Sequence, residues 1–206
     1  MVDAHQHGQG IGASLLRSLW PARSERADAP DQPRRFTFSS RHSAALPLYA
    51  RAGLAPTWPL LYLTGAPDRL PRARTVEATL VGPDAATEAD AQLSGTARPV
   101  EFRHWAQGRS AGGVLVHDSD RLLAAGAGRP DELTHLTCFD AVHAAAAVTA
   151  ALQALGGEHA TLCLPGPHPA LHVLLHHRWR IEDYDLAMST PALDLPTTWV
   201  YSPGLA

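Results

Sequence analysis

Apolar positions along the chain fall into two rhythms, and together they predict an alternation of helices and strands. Ile11, Leu15, Leu16 and Leu19 share one face of a helix over Ile11–Trp20, which Pro21 ends. The stretch Pro21–Arg35 is polar and broken by prolines, so it reads as a loop or a frayed helix end. Arg35–Ser39 alternates, with two aromatics on one face, and predicts a short strand. A second helix, from about His42 to Ala52, is closed by Gly53 and accommodates Pro47 only in its first turn. Pro59–Thr64 then reads as a strand.

Residues 66–99 are rich in Pro, Asp, Ala, Thr and Gly, with one apolar patch at Val76–Val81, and have the composition of a connector. The pattern beyond them is more regular. Gly113–His117 and Arg121–Ala127 form the arms of a hairpin around Asp118-Ser119-Asp120, and Leu133–Phe139 is a third strand. Asp140 is a good N-cap for an Ala-rich helix over Ala141–Leu155, which Gly156-Gly157 ends. A strand (Ala160–Leu164), a Pro/Gly turn, a helix carrying Leu171, Leu174 and Leu175, and strands at Arg180–Met188 and Trp199–Tyr201 complete the chain. The order helix, strand, helix, strand therefore occurs near both ends, a long internal echo.

Composition narrows the function classes. The 206 residues are 45% hydrophobic and 18% charged with a formal net charge of -3, the profile of an ordinary globular protein. The chain has no Lys and no Asn and only two Ile, so Arg stands in for surface Lys by default and Arg clusters carry little information. With acidic residues in slight excess, nothing points to nucleic acid. No apolar run is long enough for a membrane span, and MVDAHQHGQG lacks the features of a signal peptide, so the expected location is the cytoplasm. Cys138 and Cys163 are too few for a disulfide framework and read as reduced, buried thiols.

The sharpest local signal is HGQGIGASLL, His7 to Leu16. Three glycines within five positions, opening into a helix, leave a run of backbone N–H groups free of Cβ obstruction where the helix dipole favours an anion. That is the chemistry of a pyrophosphate cradle, although a flexible cap on a helix has the same composition. It is neither a P-loop, since no Gly-Lys-Ser/Thr ends it, nor a dinucleotide fingerprint, since no strand precedes it.

Taken with ALPLYARAGLAP, Ala45 to Pro56, this segment resembles the GCN5-related N-acetyltransferase (GNAT) superfamily. The family pattern is Arg/Gln-x-x-Gly-x-Gly/Ala at a helix start, followed after a strand by a helix reading Ala-x-x-Leu-Tyr-x-x-x-Gly-Phe. His7, Gly10 and Gly12 match the first motif, and Ala45, Leu48, Tyr49, Gly53 and Leu54 the second. His7 replaces Arg/Gln, His42 stands where the family often has Asn, and Leu54 replaces Phe. The resemblance covers about Val2–Gly65 by motif and Val100–Pro203 by element order. It implies an α/β fold with a mixed, mostly antiparallel central sheet flanked by helices.

The same resemblance implies acetyl-CoA as acyl donor and an amine of a small molecule or protein as acceptor. His7, Gly8, Gln9, Gly10, Ile11, Gly12 and Ala13 would contact the pyrophosphate, Val2 the acetyl or pantetheine group, and His42 would also lie on the cofactor. Tyr49 matches the tyrosine that often gives a proton to the departing thiolate, while the plainer reading of Tyr49 is a helix tyrosine that packs. Aligning LPGPHPALHVLLHHRWRI on the Tyr49 helix puts Leu174 at the tyrosine position and Arg178-Trp179 at Gly53-Leu54. The matching cradle holds Asp140, Ala141, Val142 and His143, a negative charge where a pyrophosphate would sit.

The expected organisation is therefore the back part of a GNAT unit over 1–65, a connector over 66–99, and a degenerate GNAT unit over 100–206. A first unit that starts at Met1 lacks its front strands, so an N-terminally truncated tandem protein is expected. A second copy would cover the incomplete sheet. The alternative is a catalytically inactive, GNAT-derived scaffolding module. Among the 12 histidines, His168, His172 and His176 fall at i, i+4, i+8 on one expected helix face. No Cys, Asp or Glu accompanies them, so a solvated stripe is the preferred reading and no metal is expected. His5 flanks the cradle, and His104, His117 and His135 carry no assigned role.

Overall fold

A computed structural model describes residues 10–19, 34–40, 44–105, 111–191 and 193–203. In chain order the elements are α1 (Ile11–Leu19), β1 (Phe36–Ser39), α2 (Ala45–Arg51), β2 (Ala55–Gly65), β3 (Val76–Val81), α3 (Pro83–Ser94), α4 (Pro99–Trp105), β4 (Gly112–Asp118), β5 (Arg121–Arg129), β6 (Glu132–Cys138), α5 (Ala141–Leu155), β7 (Ala160–Pro165), α6 (Ala170–His176) and β8 (Arg180–Ser189). They divide into a smaller unit, Met1–Thr57 with Leu186–Leu195, and a larger one, Trp58–Asp185 with Pro196–Ala206.

In the smaller unit β1 runs antiparallel to the last residues of β8, from Phe36↔Ser189 to Ser39↔Leu186. In the larger unit the strands stand in the order β8-β2-β7-β6-β5-β4-β3. The β6–β7 pair is parallel and short, Glu132↔Thr161 and Leu133↔Leu162. The other described ladders are antiparallel. The fold class is thus the mixed, mostly antiparallel α/β sheet that the sequence implies.

The core of the larger unit follows from the spacing in α5. Ala144, Ala147, Val148, Ala151, Leu152 and Leu155 are buried, recurring at three and four residues so that one face of the helix meets the sheet. Small side chains on that face let the helix lie close to Leu133, Leu162 and Leu164 of the strands below. Close approach also governs β5. Gly126 pairs with Leu136 across the ladder, and a Cβ there would run into the His135 carbonyl oxygen.

Three expectations need correction. Residues 66–99 are not a bare connector: they hold a 3-10 turn at Pro67–Arg69, then β3, α3 and the start of α4. Val76–Val81 alternates weakly, and Gly82-Pro83, which looks like loop composition, sets the start of α3 with Pro at its first position. The helix expected from about His42 begins at Ala45, which puts Pro47 in its first turn, where a missing N–H costs nothing. His42 itself lies outside the described residues. Trp199–Tyr201 is not a strand but a single antiparallel bridge, Leu136↔Val200.

Gly126→Ala is expected to lower the unfolding free energy by about 3 kcal/mol, since the β5–β6 ladder must part to admit the methyl group. Urea denaturation checks this, and a loss below about 0.5 kcal/mol would mean that β6 yields freely.

Candidate functional site

The described part of the glycine-rich segment begins at Gly10, whose φ of +78° is left-handed and suits glycine. The first helical bond of α1 is Ser14 N–H to the Gly10 carbonyl at 2.9 Å, so the amides of Ile11, Gly12 and Ala13 are the ones a helix start leaves without an internal acceptor. The first turn carries no acidic residue. Gly12 faces α2: a Cβ there would stand 3.7 Å from Leu48 Cδ2. The fold thus brings the start of α1 against the residue that precedes Tyr49. Val2, His7, Gly8, Gln9 and His42 lie outside the described residues.

Tyr49 is half-buried on α2, and the helix end fixes its backbone. Leu54 N–H reaches the Tyr49 carbonyl (3.2 Å) and Gly53 N–H the Ala50 carbonyl (3.0 Å), with Gly53 at φ +89°. This is the Schellman arrangement, and it turns Leu54 inward until only 3% of it is exposed. Helix α6 ends identically at the aligned positions. Trp179 N–H bonds the Leu174 carbonyl (3.0 Å) and Arg178 N–H the Leu175 carbonyl (3.1 Å), with Arg178 at φ +66° and Trp179 buried. Leu174, in the place of the tyrosine, is fully buried.

The start of α5 has a different chemistry from that of α1. Asp140 is its N-cap and accepts from His143 N–H at 2.9 Å and from His143 Nδ1 at 2.8 Å. Arg121 reaches the other carboxylate oxygen at 3.4 Å while lying over the Phe139 ring. The backbone bond from His143, with its side chain and Arg121 in support, holds the Asp140 carboxyl below the usual carboxylate range. An anion at this helix start would meet a carboxylate already bonded to the His143 amide.

The larger unit also holds a buried polar cluster. Asp90 on α3 is completely buried. One of its oxygens takes the Arg98 guanidinium at 2.6 Å, and the other takes the Thr137 hydroxyl at 2.5 Å and faces His135 Nε2 at 3.4 Å. Burial works against the charge on Asp90, but the bonds from His135 and Thr137 and the nearby guanidinium outweigh it, so its carboxyl sits below the usual range. His135 is stacked on Trp105 with ring centroids 4.7 Å apart, and burial holds it below the ordinary imidazole value despite the pull of Asp90. Sequence reasoning gave His135 no role and passed over Asp90, Arg98 and Thr137. Residues 45 positions apart carry no shared local pattern, and the one available signal was the alternation of β6, which points His135 and Thr137 to the same face.

The expected histidine stripe is broken by the fold. His168 precedes α6 and is buried, accepting from Ala170 N–H at 2.9 Å and bonding the Thr198 carbonyl through Nε2 at 3.0 Å. Burial pushes it down to about 4. His172 and His176 are exposed. Among the described residues no group of three or more His, Cys, Asp or Glu is placed to hold a metal ion, and no helix is long and apolar enough to cross a membrane. Cys138 is buried and Cys163 half-buried, both as free thiols, and burial raises Cys163 to about 12.

No family sequence model and no curated protein sequence matches the chain. Solved structures do. A Pyrococcus horikoshii protein assigned to the acetyltransferases superposes with a TM-score of 0.66 at 16% identity, over 98% of this chain and 67% of that one. A GCN5-related N-acetyltransferase from Anabaena variabilis gives 0.57 at 14% identity, over 90% of this chain and 51% of that one. Another from Sphaerobacter thermophilus gives 0.51 at 13% identity, over 94% and 73%. The chain thus spans about half the length of the Anabaena protein. With the order of strands and helices, these likenesses establish that the chain has the fold of the GCN5-related N-acetyltransferases.

Proposed function

We propose that the protein is an acetyl-CoA-dependent N-acetyltransferase whose donor site is the start of α1. The observation that carries the reading is the pairing of a left-handed Gly10 and an acid-free first turn with a helix that bears Tyr49, the two meeting at Gly12 and Leu48. The amides of Ile11, Gly12 and Ala13, with His7, Gly8, Gln9 and Gly10, would hold the pyrophosphate, and Val2 and His42 would lie on the rest of the cofactor. When bound, acetyl-CoA supplies an activated acyl carbon to an amine of a small molecule or protein. Tyr49 holds the proton that the departing thiolate takes.

In this reading residues 1–65 are the back part of one acetyltransferase unit and the elements from β3 onward form a second whose donor site is lost. Two features support the loss: Asp140 puts a carboxylate at the start of α5 and takes the His143 amide, and Leu174 stands in place of the tyrosine. The protein is expected to act in the cytoplasm.

Calorimetry of the purified chain with acetyl-CoA tests the assignment. The expected result is one site per chain, lost in Gly10→Asp, whose melting temperature changes only by the small cost of a non-glycine residue in a left-handed turn. Heat that persists in Gly10→Asp would move the site elsewhere, and no heat from the wild-type chain would end the donor-site reading. Tyr49→Phe is expected to retain binding while thiol release with a panel of primary amines falls about 100-fold or more. Unchanged turnover would remove Tyr49 from the reaction.

A further inference from the structure

Strands β6 and β7 lie side by side for two residue pairs and then stop pairing with each other. Past that point their backbone groups turn to the chain's own C-terminal segment. Leu136 exchanges both hydrogen bonds with Val200 (Leu136 N–H to O, 3.3 Å; Val200 N–H to the Leu136 carbonyl, 2.9 Å), and Tyr201 N–H reaches the Cys163 carbonyl at 3.1 Å. Val200 is fully buried and Tyr201 is 7% exposed. Thr198 to Tyr201 therefore sits in the cleft as a strap. Its other fastenings are side chains: Trp199 under the Arg98 guanidinium at 4.9 Å, Tyr201 beside Trp58, and the Thr198 carbonyl on His168. Three backbone hydrogen bonds hold the strap, where a full ladder strand would have twice as many, so its opening need not unfold the sheet.

The strap also roofs His135. The imidazole lies between the Trp105 face and the edges of Phe102 (6.0 Å) and Trp199 (6.1 Å), and it hydrogen-bonds the Val200 backbone. The charged groups facing it are Asp90 from α3 and Arg98 from the α3–α4 connection, with the neutral Thr137 from β6. Asp90 already balances Arg98, so a second cation at His135 would sit in an aromatic box with no counter-charge of its own.

We propose that Thr198–Tyr201 is a strap that seals the cleft between β6 and β7 and opens with proton uptake at His135. Closed, the strap excludes water and the ring stays neutral. Open, Trp199 and Val200 leave and the hydrated ring regains its ordinary affinity for a proton, near pH 6.5. His135 is depressed in the closed form, so below about pH 6.5 the open form binds the extra proton and closure weakens as the pH falls. Asp90 is depressed as well, but its contribution is complete above its unfolded value of about 3.9 and falls away only in stronger acid. His168, bonded to the Thr198 carbonyl and held at about 4 by burial, is freed by the same opening, so the two imidazoles His135 and His168 together govern the window below about 6.5.

Backbone hydrogen exchange of the full chain tests this without any ligand, so the outcome is independent of whether α1 binds acetyl-CoA. After correction for intrinsic exchange rates, protection of the Leu136, Val200 and Tyr201 amides is expected to fall about fivefold or more between pH 6.5 and 5.5, while the Ala125 amide in β5 holds. In Trp199→Ala the same three amides are expected to be unprotected at pH 7.5 already. In His135→Gln the pH step is expected to shrink to the part owed to His168, and in His135→Gln with His168→Gln to vanish. Should either variant fail to fold, the titration of the His135 ring protons in the wild-type chain serves instead. Three amides that track Ala125 from pH 7.5 to 5.5, a pH step undiminished in His135→Gln, or a loosening with no ring titration in the same window would each overturn the proposal.

Discussion

A strand that parts from its neighbour leaves backbone donors and acceptors that must find partners or water, and the larger unit is organised around that constraint at β6 and β7. Only Glu132–Leu133 and Thr161–Leu162 pair directly. Everything past the divergence depends on what fills the gap. Here the chain fills it with Val200 and Tyr201, and the side chains that come with them, Trp199 above all, complete the wall around His135 and lie against Arg98. The buried Asp90 carboxylate is tolerable because Arg98 and Thr137 both reach it, and an unpaired partner in such a cluster costs about 3–5 kcal/mol. Backbone satisfaction, aromatic packing and charge balance are therefore one coupled arrangement.

The two helix starts show how a small change in residue type redirects the same geometry. At α1 a left-handed glycine and three amides without helical acceptors meet no carboxylate in the first turn. At α5 one of the equivalent donors, the His143 amide, belongs to Asp140, whose carboxylate also takes the His143 ring and Arg121. Both starts satisfy the same helical requirement. The α5 start brings its own carboxylate and the described α1 start brings none, and the proposed donor site rests on that contrast.

What the sequence made legible follows the range of the interactions. Asp140 and Gly156 set both ends of α5 because capping is local, and Gly53 closes α2 for the same reason. β3 and α3 escape the sequence pattern because Val76–Val81 is an edge-like strand with three exposed positions, and because the Pro83 that looks like loop chemistry is a helix start. His168 was assigned to a helical stripe because periodicity alone cannot tell a residue that caps a helix from one inside it. In the candidate site, Gly10, Gly12 and Tyr49 were visible as motif letters. The strap was visible only as a short apolar run, since nothing within Trp199–Tyr201 encodes which strands will separate to receive it.

Arg178 shows why the end of α6 keeps a conformation that its sequence does not favour. An arginine at φ +66° costs about 1–2 kcal/mol relative to a glycine, and the buried indole N–H of Trp179 has no hydrogen-bond partner among the described residues, a further cost of about 1–3 kcal/mol. Against these stands the burial of the indole itself, which lies where a Cβ on Gly65 would otherwise be. At about 150–250 Å² and 25 cal/mol per Å² that burial contributes about 4–6 kcal/mol. The larger magnitude decides the geometry. The left-handed turn persists at position 178 because it is the turn that delivers residue 179 to the core, and Gly53 with Leu54 shows the same turn made without strain.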